Sequence, residues 1–262
     1  MMDISLVIVT YNSSTEIKNA IDSIHRFLHN LTYEIIVVDN NSTDNTVSIL
    51  ECFDDIKLIR NSKNSGFAQA NNQAFKIASG KYILIFNPDL KLTSETKIPD
   101  LINFLEQNSQ IGLIAPRLCY EDGTIQESAR GFPTPMAQLV RLLKLDGYFK
   151  NMIFYKKYML RVDQIVDPLP VDWVIGAFML ISKELLFKVK LFDEDYFMYY
   201  EDADLCFKLN RQGFQIYYMP YFSAIHSYKR ESSKKLFSKL KWIHFVSGIK
   251  FYSKYFFSKP AL

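Results

Sequence analysis

The sequence predicts an α/β fold with a mostly parallel central sheet flanked by helices, followed by a helical C-terminal appendage. Short apolar runs rich in β-branched residues recur through the first 115 residues, and helical patterns separate them. Basic and aromatic residues then accumulate after residue 226, where the acidic residues nearly disappear. We therefore expect a domain over residues 1–226, with halves at 1–115 and 116–226, and a basic, aromatic tail over 227–262.

Alternating strands and helices predict the first half. Five apolar runs indicate buried strands at residues 4–10, 34–39, 56–60, 82–86 and 111–115. Capping and termination signals predict the helices between them, with a capping box at Ser13 and Glu16, caps at Ser42 and Ser94, and a stop at Gly80. The expected helices run to about His29, from about Phe67 to Gly80, and to about Asn108.

The second half begins with a proline-rich stretch over residues 116–170, which contains an amphipathic helix at "MAQLVRLLKL". Regular patterning resumes with the strand "VDWVIGAFMLIS", the helix "YYEDADLCFKLNRQG" and the strand "QIYYMP". Gly213 is expected to end that helix. The tail combines apolar residues at helical spacing, from Leu236 to Ile249, with many lysines.

Composition excludes several classes of protein. A net charge of +3 does not suggest a nucleic-acid partner. The three cysteines are widely separated, which argues against disulfides or zinc and favours a reducing, cytoplasmic setting. The sequence lacks the run of roughly 18 uncharged apolar residues that a spanning helix needs, and the opening strand lacks the basic flank of a signal peptide. Any membrane contact is therefore expected to be peripheral.

Polar residues follow the first four strands, where parallel sheets bind ligands. Asp89 follows Asn87 and Pro88, and its carboxylate suits either a divalent ion on a nucleotide diphosphate or a simple strand-ending turn. Asp39 suits either a structural role or the acceptance of hydrogen bonds from a base or a ribose. Gly66, at a helix entry shortly before Asn71 and Asn72, suggests a cradle for a diphosphate or ribose.

Three further groups have both a functional and a structural interpretation. Glu201, Asp202 and Asp204 begin a helix, where they either complement its dipole or supply a base for an acceptor hydroxyl. His226 is either a metal ligand or a packed histidine. Trp173 and Gly176 suit a sugar platform, although Trp173 is equally suited to the core.

Seven segments taken together resemble a known family. They are "VIVTYNS", "VVDNNSTD", "NSGFAQANN", "NPD", "WVIGAFMLI", "FMYYEDADLCFKL" and "AIH", spread in that order over residues 4–226. Their combination resembles the family 2 inverting glycosyltransferases, which have the Rossmann-like GT-A fold. More narrowly, it is similar to the bacterial rhamnosyltransferase branch that builds O-antigen, capsule and related polysaccharides.

The resemblance implies a role for each matching position. Thr10, Tyr11 and Asn12 would line the base pocket, and Asp39 would bind the base or ribose. Asn87 and Asp89 match the D-x-D motif, and His226 matches a metal ligand. Asp202 matches the general base with Glu201 in support, and Trp173 and Gly176 match the acceptor side. It also implies Mg²⁺ or Mn²⁺ as cofactor, a nucleotide-sugar donor and a glycan or lipid-linked acceptor. The nucleotide-sugar contacts drawn from the residues themselves, Gly66 and Asn71, complete the expected site.

Asn87 departs from the first acidic position of the D-x-D motif. Because an amide adds no charge, Asn87 is expected to contact the nucleotide sugar by orienting the ribose or a metal-bound water, and metal binding would rest on Asp89, His226 and the diphosphate. The same N-P-D sequence is typical of the rhamnosyltransferase branch, so dTDP-L-rhamnose is the expected donor, with other UDP-, GDP- or dTDP-sugars as alternatives.

Two other functions make different demands on the sequence. A nucleotidyltransferase would need a glycine-rich basic loop after the first strand, and "TYNSSTE" has neither glycine nor lysine. A non-catalytic nucleotide-binding partner in a polysaccharide assembly complex would not need both Asp89 and the Glu201–Asp202 pair. Residues 231–262 are expected to contact anionic lipid, placing the protein at the cytoplasmic face of a bacterial plasma membrane.

Overall fold

The structure is a computed structural model that describes residues 2–143, 145–227 and 239–255. Its strands are β1 (Ile4–Thr10), β2 (Tyr33–Asp39), β3 (Ile56–Arg60), β4 (Tyr82–Phe86), β5 (Leu90–Lys91), β6 (Ile111–Cys119), β7 (Ala129–Arg130), β8 (Leu169–Val171), β9 (Trp173–Val174), β10 (Phe178–Ser182) and β11 (Gln215–His226). Its α-helices are α1 (Ile17–Phe27), α2 (Thr46–Leu50), α3 (Phe67–Ile77), α4 (Ile98–Gln107), α5 (Pro135–Leu142), α6 (Asp146–Phe149), α7 (Ile153–Tyr158), α8 (Lys183–Val189), α9 (Glu201–Arg211) and α10 (Lys239–Tyr255).

One large sheet has the strand order β3-β2-β1-β4-β10-β6-β11-β5, with β8 also paired to β11. β1 to β4 are mutually parallel, as are β6 and β11. β10 lies between the two groups and is antiparallel to both β4 and β6. The predicted α/β fold with a mostly parallel sheet is therefore confirmed, with one antiparallel strand at its centre.

Apolar side chains from alternate positions of the strands form a core on each face of the sheet. On one face Leu6 and Leu84 pack with α1 and α4, and on the other Val7 and Ile85 pack with α3, α8 and α9. Each such side chain contributes about 1.5–3 kcal/mol when fully buried. The strands are thus fixed in place, and so are the polar residues that follow them.

The carboxyl ends of the parallel strands lie at one edge of the sheet, as predicted. Thr10 is opposite Asp39 in the register of β1 and β2, and Asp39 is opposite Arg60 of β3. Because β10 is antiparallel, its beginning reaches the same edge, where Phe178 is opposite Phe86 of β4. This edge collects residues from both halves of the chain.

The predicted serine caps are wrong. No side chain caps α1 or α4, which begin after Glu16 and after Lys97, and Lys97 has a left-handed φ of 40°. Ser13 supplies its backbone carbonyl to the start of α1, and Ser42 directs its hydroxyl to Asp39 while α2 begins after Asn45. A hydroxyl pairs with the best acceptor or donor within reach, which here comes from a neighbouring strand or loop.

Gly80 does not end α3, which stops at Ile77. Its amide donates to the Ser5 hydroxyl at 2.8 Å, and a β-carbon there would lie 2.4 Å from the Ser5 backbone nitrogen. Glycine is required because the backbone passes directly against β1. The sequence pointed to a glycine with a structural role, but that role is to let the backbone pass close to β1 and not to end a helix.

The tail contributes α10, which packs against α9. Phe251 is 3% exposed and contacts Tyr200 and Phe207. Trp242, Phe245 and Ile249 lie on the outer face and are exposed. Residues 228–238 and 256–262, which complete the predicted tail and include Leu236, lie outside the described residues. Within the described part, no helix has the length and apolar character needed to cross a bilayer.

Candidate active site

Asp89 and His226 meet at the edge of the sheet. β5 follows Asp89 directly and pairs with the end of β11, so that Leu90 is opposite His226. The Ser227 amide donates to the Asp89 carbonyl at 2.8 Å. These backbone contacts place Asp89 Oδ1 3.2 Å from His226 Nε2. The structure therefore brings together the two residues expected to hold a metal.

Gln126 fixes which nitrogen of His226 faces Asp89. Its amide nitrogen donates to the His226 carbonyl at 2.7 Å, which leaves its oxygen to accept from Nδ1 at 2.8 Å. Nδ1 therefore carries a proton, and in the neutral ring Nε2 presents its lone pair toward Asp89. Sequence reasoning missed Gln126, because a single glutamine in an irregular loop has no distinguishing pattern.

This arrangement suits a divalent cation. A neutral imidazole and a carboxylate that face each other at 3.2 Å repel unless a proton or a cation lies between them. In the described residues no three acidic, histidine or cysteine side chains assemble into a complete metal cage. Mg²⁺ and Mn²⁺ accept few protein ligands when a diphosphate and water supply the others, so Asp89 and His226 fit such an ion.

Two consecutive residues connect this motif to the acidic pair at the start of α9. The Asn87 amide donates to the Ala177 carbonyl at 2.9 Å, and the Gly176 amide donates to Asp202 Oδ2 at 2.8 Å. A β-carbon on Gly176 would lie 3.3 Å from the Asp202 β-carbon. Gly176 thus allows the Asp202 carboxylate to approach the backbone at the edge where the N-P-D motif ends.

Glu201 and Asp202 are both buried, at 5% and 8% exposure. Burial raises the pKa of Asp202, while amide hydrogen bonds from Gly176 and Ala203 partly offset that rise. Burial, followed by the negative charge of Asp202, raises the pKa of Glu201 well above its usual range. The pair is therefore expected to retain a proton to a higher pH than exposed carboxyls do, with the larger rise in pKa on Glu201.

We expect the substitution Glu201→Gln to stabilise the protein. Between the unfolded and folded pKa values of Glu201 the folded state binds more protons, so wild-type stability falls as pH rises through that window. Each unit of raised pKa is worth about 1.4 kcal/mol, and about 1 kcal/mol moves the Tm of a chain this long by roughly 2–4 °C. Thermal unfolding should show a gain of several degrees at pH 8 that shrinks toward pH 5.

The matched control is Glu184→Gln on α8, where an exposed glutamate pairs with Lys188 and has a lowered pKa. That substitution should give no gain in Tm at any pH. A Glu201→Gln variant whose Tm equals or falls below the wild-type value throughout the range would show that Glu201 is not held protonated.

Asp204, the third acidic residue of the segment, is structural. It is fully buried, and its Oδ1 accepts from Lys254 Nζ at 2.7 Å and from the Tyr255 hydroxyl at 2.6 Å. Lys208 Nζ lies 3.3 Å from the other oxygen. Lys254 and Tyr255 belong to α10, so this carboxylate joins the C-terminal helix to α9.

Gly66 joins α3 to the loop that leads into α9. Its φ is 85°, and a β-carbon there would lie 2.3 Å from the Phe197 carbonyl oxygen. That oxygen accepts from the Phe67 amide at 2.7 Å. The first amide of α3 therefore donates its hydrogen bond to Phe197. Because Gly66 has no side chain, the two halves of the chain can approach closely enough to make this contact. Its role in holding a diphosphate stays a prediction.

The residues predicted to bind the nucleotide form a connected loop pair. Asp39 is 2% exposed and accepts from the Thr10 hydroxyl and from both the amide and the hydroxyl of Ser42. Asn12, in a left-handed conformation, accepts from the Thr43 amide. Tyr11 is 52% exposed. The loops after β1 and β2 are therefore joined by hydrogen bonds, and the exposed Tyr11 side chain is accessible to a ligand.

Asn71 lies apart from these loops. It is fully buried in α3, and its amide donates to the Phe67 carbonyl one turn earlier at 2.8 Å. Its predicted contact with the donor remains untested, and its observed bond is within its own helix.

Trp173 lies beside the acidic pair and is partly exposed. β9 pairs with β7, so that Trp173 is opposite Arg130, whose guanidinium carbon is 5.7 Å from the centre of the indole ring. The Arg130 charge also lowers the pKa of Asp202, against the larger effect of burial. Trp173 therefore has both a packing role and a surface next to the proposed base. Arg130 was not predicted, because isolated arginines are common on surfaces.

Comparison with known proteins gives a consistent result. Residues 5–187 match glycosyl transferase family 2. The rhamnosyltransferase WbbL of Escherichia coli K12 is 29% identical over 249 residues, covering 89% of each chain. The low-salt glycan biosynthesis hexosyltransferase Agl10 of Haloferax volcanii is 29% identical over 230 residues, covering 86% of this chain and 67% of that protein.

Solved structures share the fold. A crystal structure of GalNAc-T7 with UDP, GalNAc and Mn²⁺ superposes with a TM-score of 0.65 at 17% identity, covering 88% of this chain and 45% of that one. S. aureus TarS in complex with UDP-GlcNAc superposes with a TM-score of 0.60 at 19% identity, covering 96% of this chain and 67% of that one. Similarity at these identities establishes the architecture alone.

Proposed function

The chain belongs to glycosyl transferase family 2 and is a glycosyltransferase, and from this premise we propose that it inverts the anomeric centre as it transfers L-rhamnose from dTDP-L-rhamnose to a lipid-linked sugar. WbbL is named a rhamnosyltransferase, and a Mycobacterium tuberculosis relative at 24% identity is named an N-acetylglucosaminyl-diphospho-decaprenol L-rhamnosyltransferase. Both names support rhamnose as the transferred sugar, and the second also supports a lipid diphosphate as the acceptor carrier.

The contact through Ala177 and Gly176 is the observation that carries this proposal. It joins the backbone of the N-P-D motif to the carboxylate of Asp202 through two adjacent residues. A donor whose diphosphate lies at Asp89 would therefore present its sugar close to Asp202. A single displacement needs this arrangement, with the leaving group on one side of the sugar and the base on the other.

In the proposed reaction, the oxygen of the acceptor hydroxyl attacks the anomeric carbon while Asp202 accepts the proton of that hydroxyl. The amides of Gly176 and Ala203 hold the carboxylate in place and favour its ionised form against the effect of burial. Glu201 retains its proton and donates a hydrogen bond to the acceptor. A divalent ion held by Asp89 and His226 would supply positive charge beside the departing diphosphate.

A donor screen tests the proposal. Hydrolysis of dTDP-L-rhamnose, UDP-GlcNAc, UDP-glucose and GDP-mannose is measured with Mn²⁺ and with EDTA, with thermal shift as a second readout. We expect dTDP-L-rhamnose to give the largest shift and turnover only with metal. Preference for a UDP-sugar would replace the donor assignment, and binding without turnover of any donor would favour the non-catalytic alternative.

We also propose that α10 contacts the membrane surface. Trp242 and Phe245 are 66% and 54% exposed, and their ring centres are 5.8 Å apart on a helix that carries several lysines. Aromatic rings flanked by basic residues bind the interface of anionic bilayers. Such a contact would place the enzyme at the cytoplasmic face of the plasma membrane.

Substitution tests this contact better than deletion, because removing α10 would also expose the core around Phe251. The double variant Trp242→Ser/Phe245→Ser should bind vesicles containing anionic lipid several-fold more weakly in a sedimentation assay, at unchanged Tm. Phe187→Ser is the control, since Phe187 is 68% exposed on α8. Undiminished sedimentation of the double variant would exclude α10 as the membrane contact.

A further inference from the structure

Two consecutive tyrosines just before the acidic pair have an unusual backbone conformation. Tyr199 and Tyr200 both have a φ of 69°, and Tyr200 has a ψ of −9°. A positive φ brings the β-carbon of an L-residue against its own backbone, so it is rare for bulky side chains. The chain adopts such a conformation only where its surroundings stabilise it. Because α9 begins at the next residue, Glu201, its starting position depends on this turn.

α10 packs over the turn. The ring centre of His244 lies 5.2 Å from the ring centres of both Tyr199 and Tyr200. Ser247 is 3% exposed, and its hydroxyl donates to the Met198 carbonyl at 2.8 Å. α10 therefore contacts each of the last three residues before α9.

Gly248 allows the phenol ring of Tyr200 to lie against the backbone of α10. A β-carbon at Gly248 would lie 3.2 Å from the Tyr200 hydroxyl oxygen and 3.3 Å from the ring carbon Cζ. The ring of Phe251, one turn later in α10, has its centre 5.5 Å from that of Tyr200. Tyr200 is 5% exposed. Its side chain is thus enclosed by α10, and this packing stabilises the left-handed backbone to which the side chain is attached.

α10 also contacts the beginning of the loop that leads to this turn. Lys254 Nζ lies 2.6 Å from a carboxylate oxygen of Asp193, and it lies 2.7 Å from Oδ1 of Asp204 inside α9. One helix therefore holds the loop at its beginning, at its end and at the first turns of α9.

The position of the Asp202 carboxylate depends on where α9 begins. Its Oδ2 accepts from the Gly176 amide at 2.8 Å, and its Oδ1 accepts from the Ala203 amide at 2.7 Å. Gly176 precedes β10 and belongs to the sheet side of the site, so a shift at the start of α9 would move the carboxylate away from it. A misplacement of about 1 Å can cost roughly 100-fold in rate.

We propose that α10 is a positioning element of the active site. Its contacts hold the turn over residues 198–200 in the observed conformation, and this turn sets the position of the Asp202 carboxylate against the Gly176 amide. The inference rests on the proposed function, since it concerns the base of the same reaction. It extends the active site to a helix beyond residues 5–187, the part of the chain that matches the family.

Amide hydrogen exchange tests the positioning without turnover. In Ser247→Ala the Gly176 amide should exchange about tenfold faster than in wild type, because the carboxylate that it donates to is held less tightly. The amide of Val37, fully buried in β2, should change much less. Ser253→Ala is the matched control and should change neither rate, because Ser253 is exposed on the same helix and its hydroxyl bonds within that helix. Equal acceleration of both amides in Ser247→Ala would indicate a purely structural role and overturn the proposal.

A double-mutant cycle provides the second test. Ser247→Ala should lower kcat about tenfold at unchanged donor KM, measured well below the Tm. In the Asp202→Asn background the same substitution should have no further effect, because the group that it positions is already absent. Loss of turnover by the same factor in both backgrounds would contradict a positioning role.

If Ser247→Ala unfolds too readily for these measurements, His244→Ala takes its place. His29→Ala is the control for that change, because His29 is exposed after α1 and its ring bonds to a carbonyl one turn earlier. An unchanged exchange rate of the Gly176 amide in the α10 variant overturns the proposal. Absence of turnover with every donor in wild type would instead contradict the proposed function, and the exchange result would still decide the role of α10.

Discussion

Asp202→Asn should reduce sugar transfer by about 10²–10⁴-fold, the usual contribution of a general base, while the affinity for the donor stays nearly unchanged. Asparagine retains an oxygen that can accept from the Gly176 amide, so the local backbone is preserved. Because burial raises the pKa of Asp202, a neutral side chain at this position should not lower the Tm. Transfer is measured by product formation and donor affinity by calorimetry.

Two controls separate chemistry from folding. Asp195→Asn makes the same change at an exposed position of the preceding loop and should leave transfer unaffected. Asp204→Asn should instead lower the Tm, because it removes the charge that faces Lys254 and Lys208. If Asp202→Asn kept more than a tenth of wild-type turnover, the base would have to be another group.

Asp89→Ala should abolish the metal-dependent part of donor binding. Asp89 supplies the only carboxylate of the proposed ligand pair, and His226 alone offers a single neutral nitrogen. In calorimetry, wild type should bind the nucleoside diphosphate more tightly with Mn²⁺ than with EDTA, whereas the variant should show one weak affinity under both conditions.

Gln126→Leu provides an independent check of the same pair, because it removes the acceptor that fixes His226 Nδ1–H. Losses of an outer-shell partner cost roughly 10–100-fold in metal affinity. Asp22→Asn on the surface of α1 is the control, and it should change neither the affinity for the metal nor the affinity for the nucleoside diphosphate. Equal metal dependence in Asp89→Ala and wild type would remove Asp89 from the metal site.

The sequence was most informative where burial alone decides structure. The runs that became β1, β2 and β4 are buried on both faces, whereas β3 at the edge of the sheet is only partly buried. The polar residues after these strands were expected at one edge because parallel strands bind ligands at their carboxyl ends. Glu201 and Asp202 were singled out because three acids crowd the first turn of one helix, and the family resemblance favoured a catalytic role over a helix-dipole role. The placement of Asp89 and Asp202 at a common edge followed from topology that the family resemblance implied.

The contacts that could not be predicted from the sequence depend on partners that are distant along the chain. The Ser42 hydroxyl pairs with Asp39 and not with the next helix, and Asp204 pairs with Lys254. Neither choice is encoded in local spacing, because several partners of similar strength compete for each group. The position of β10 in the sheet was likewise unpredictable, since its apolar run fits a parallel strand equally well.

That position has a consequence for the order in which the protein folds. β1, β2 and β3 pair with partners about 20–30 residues away, whereas the pairings of β10 with β4 and of β6 with β11 each span about 90 residues or more. Closing those long loops is entropically costly, so the second group of strands is expected to join late. β10 is the strand that joins the two groups, and residues just before it link Asn87 to Asp202. The strands of the nucleotide side are therefore expected to pair first, and the catalytic geometry is expected to form later in folding.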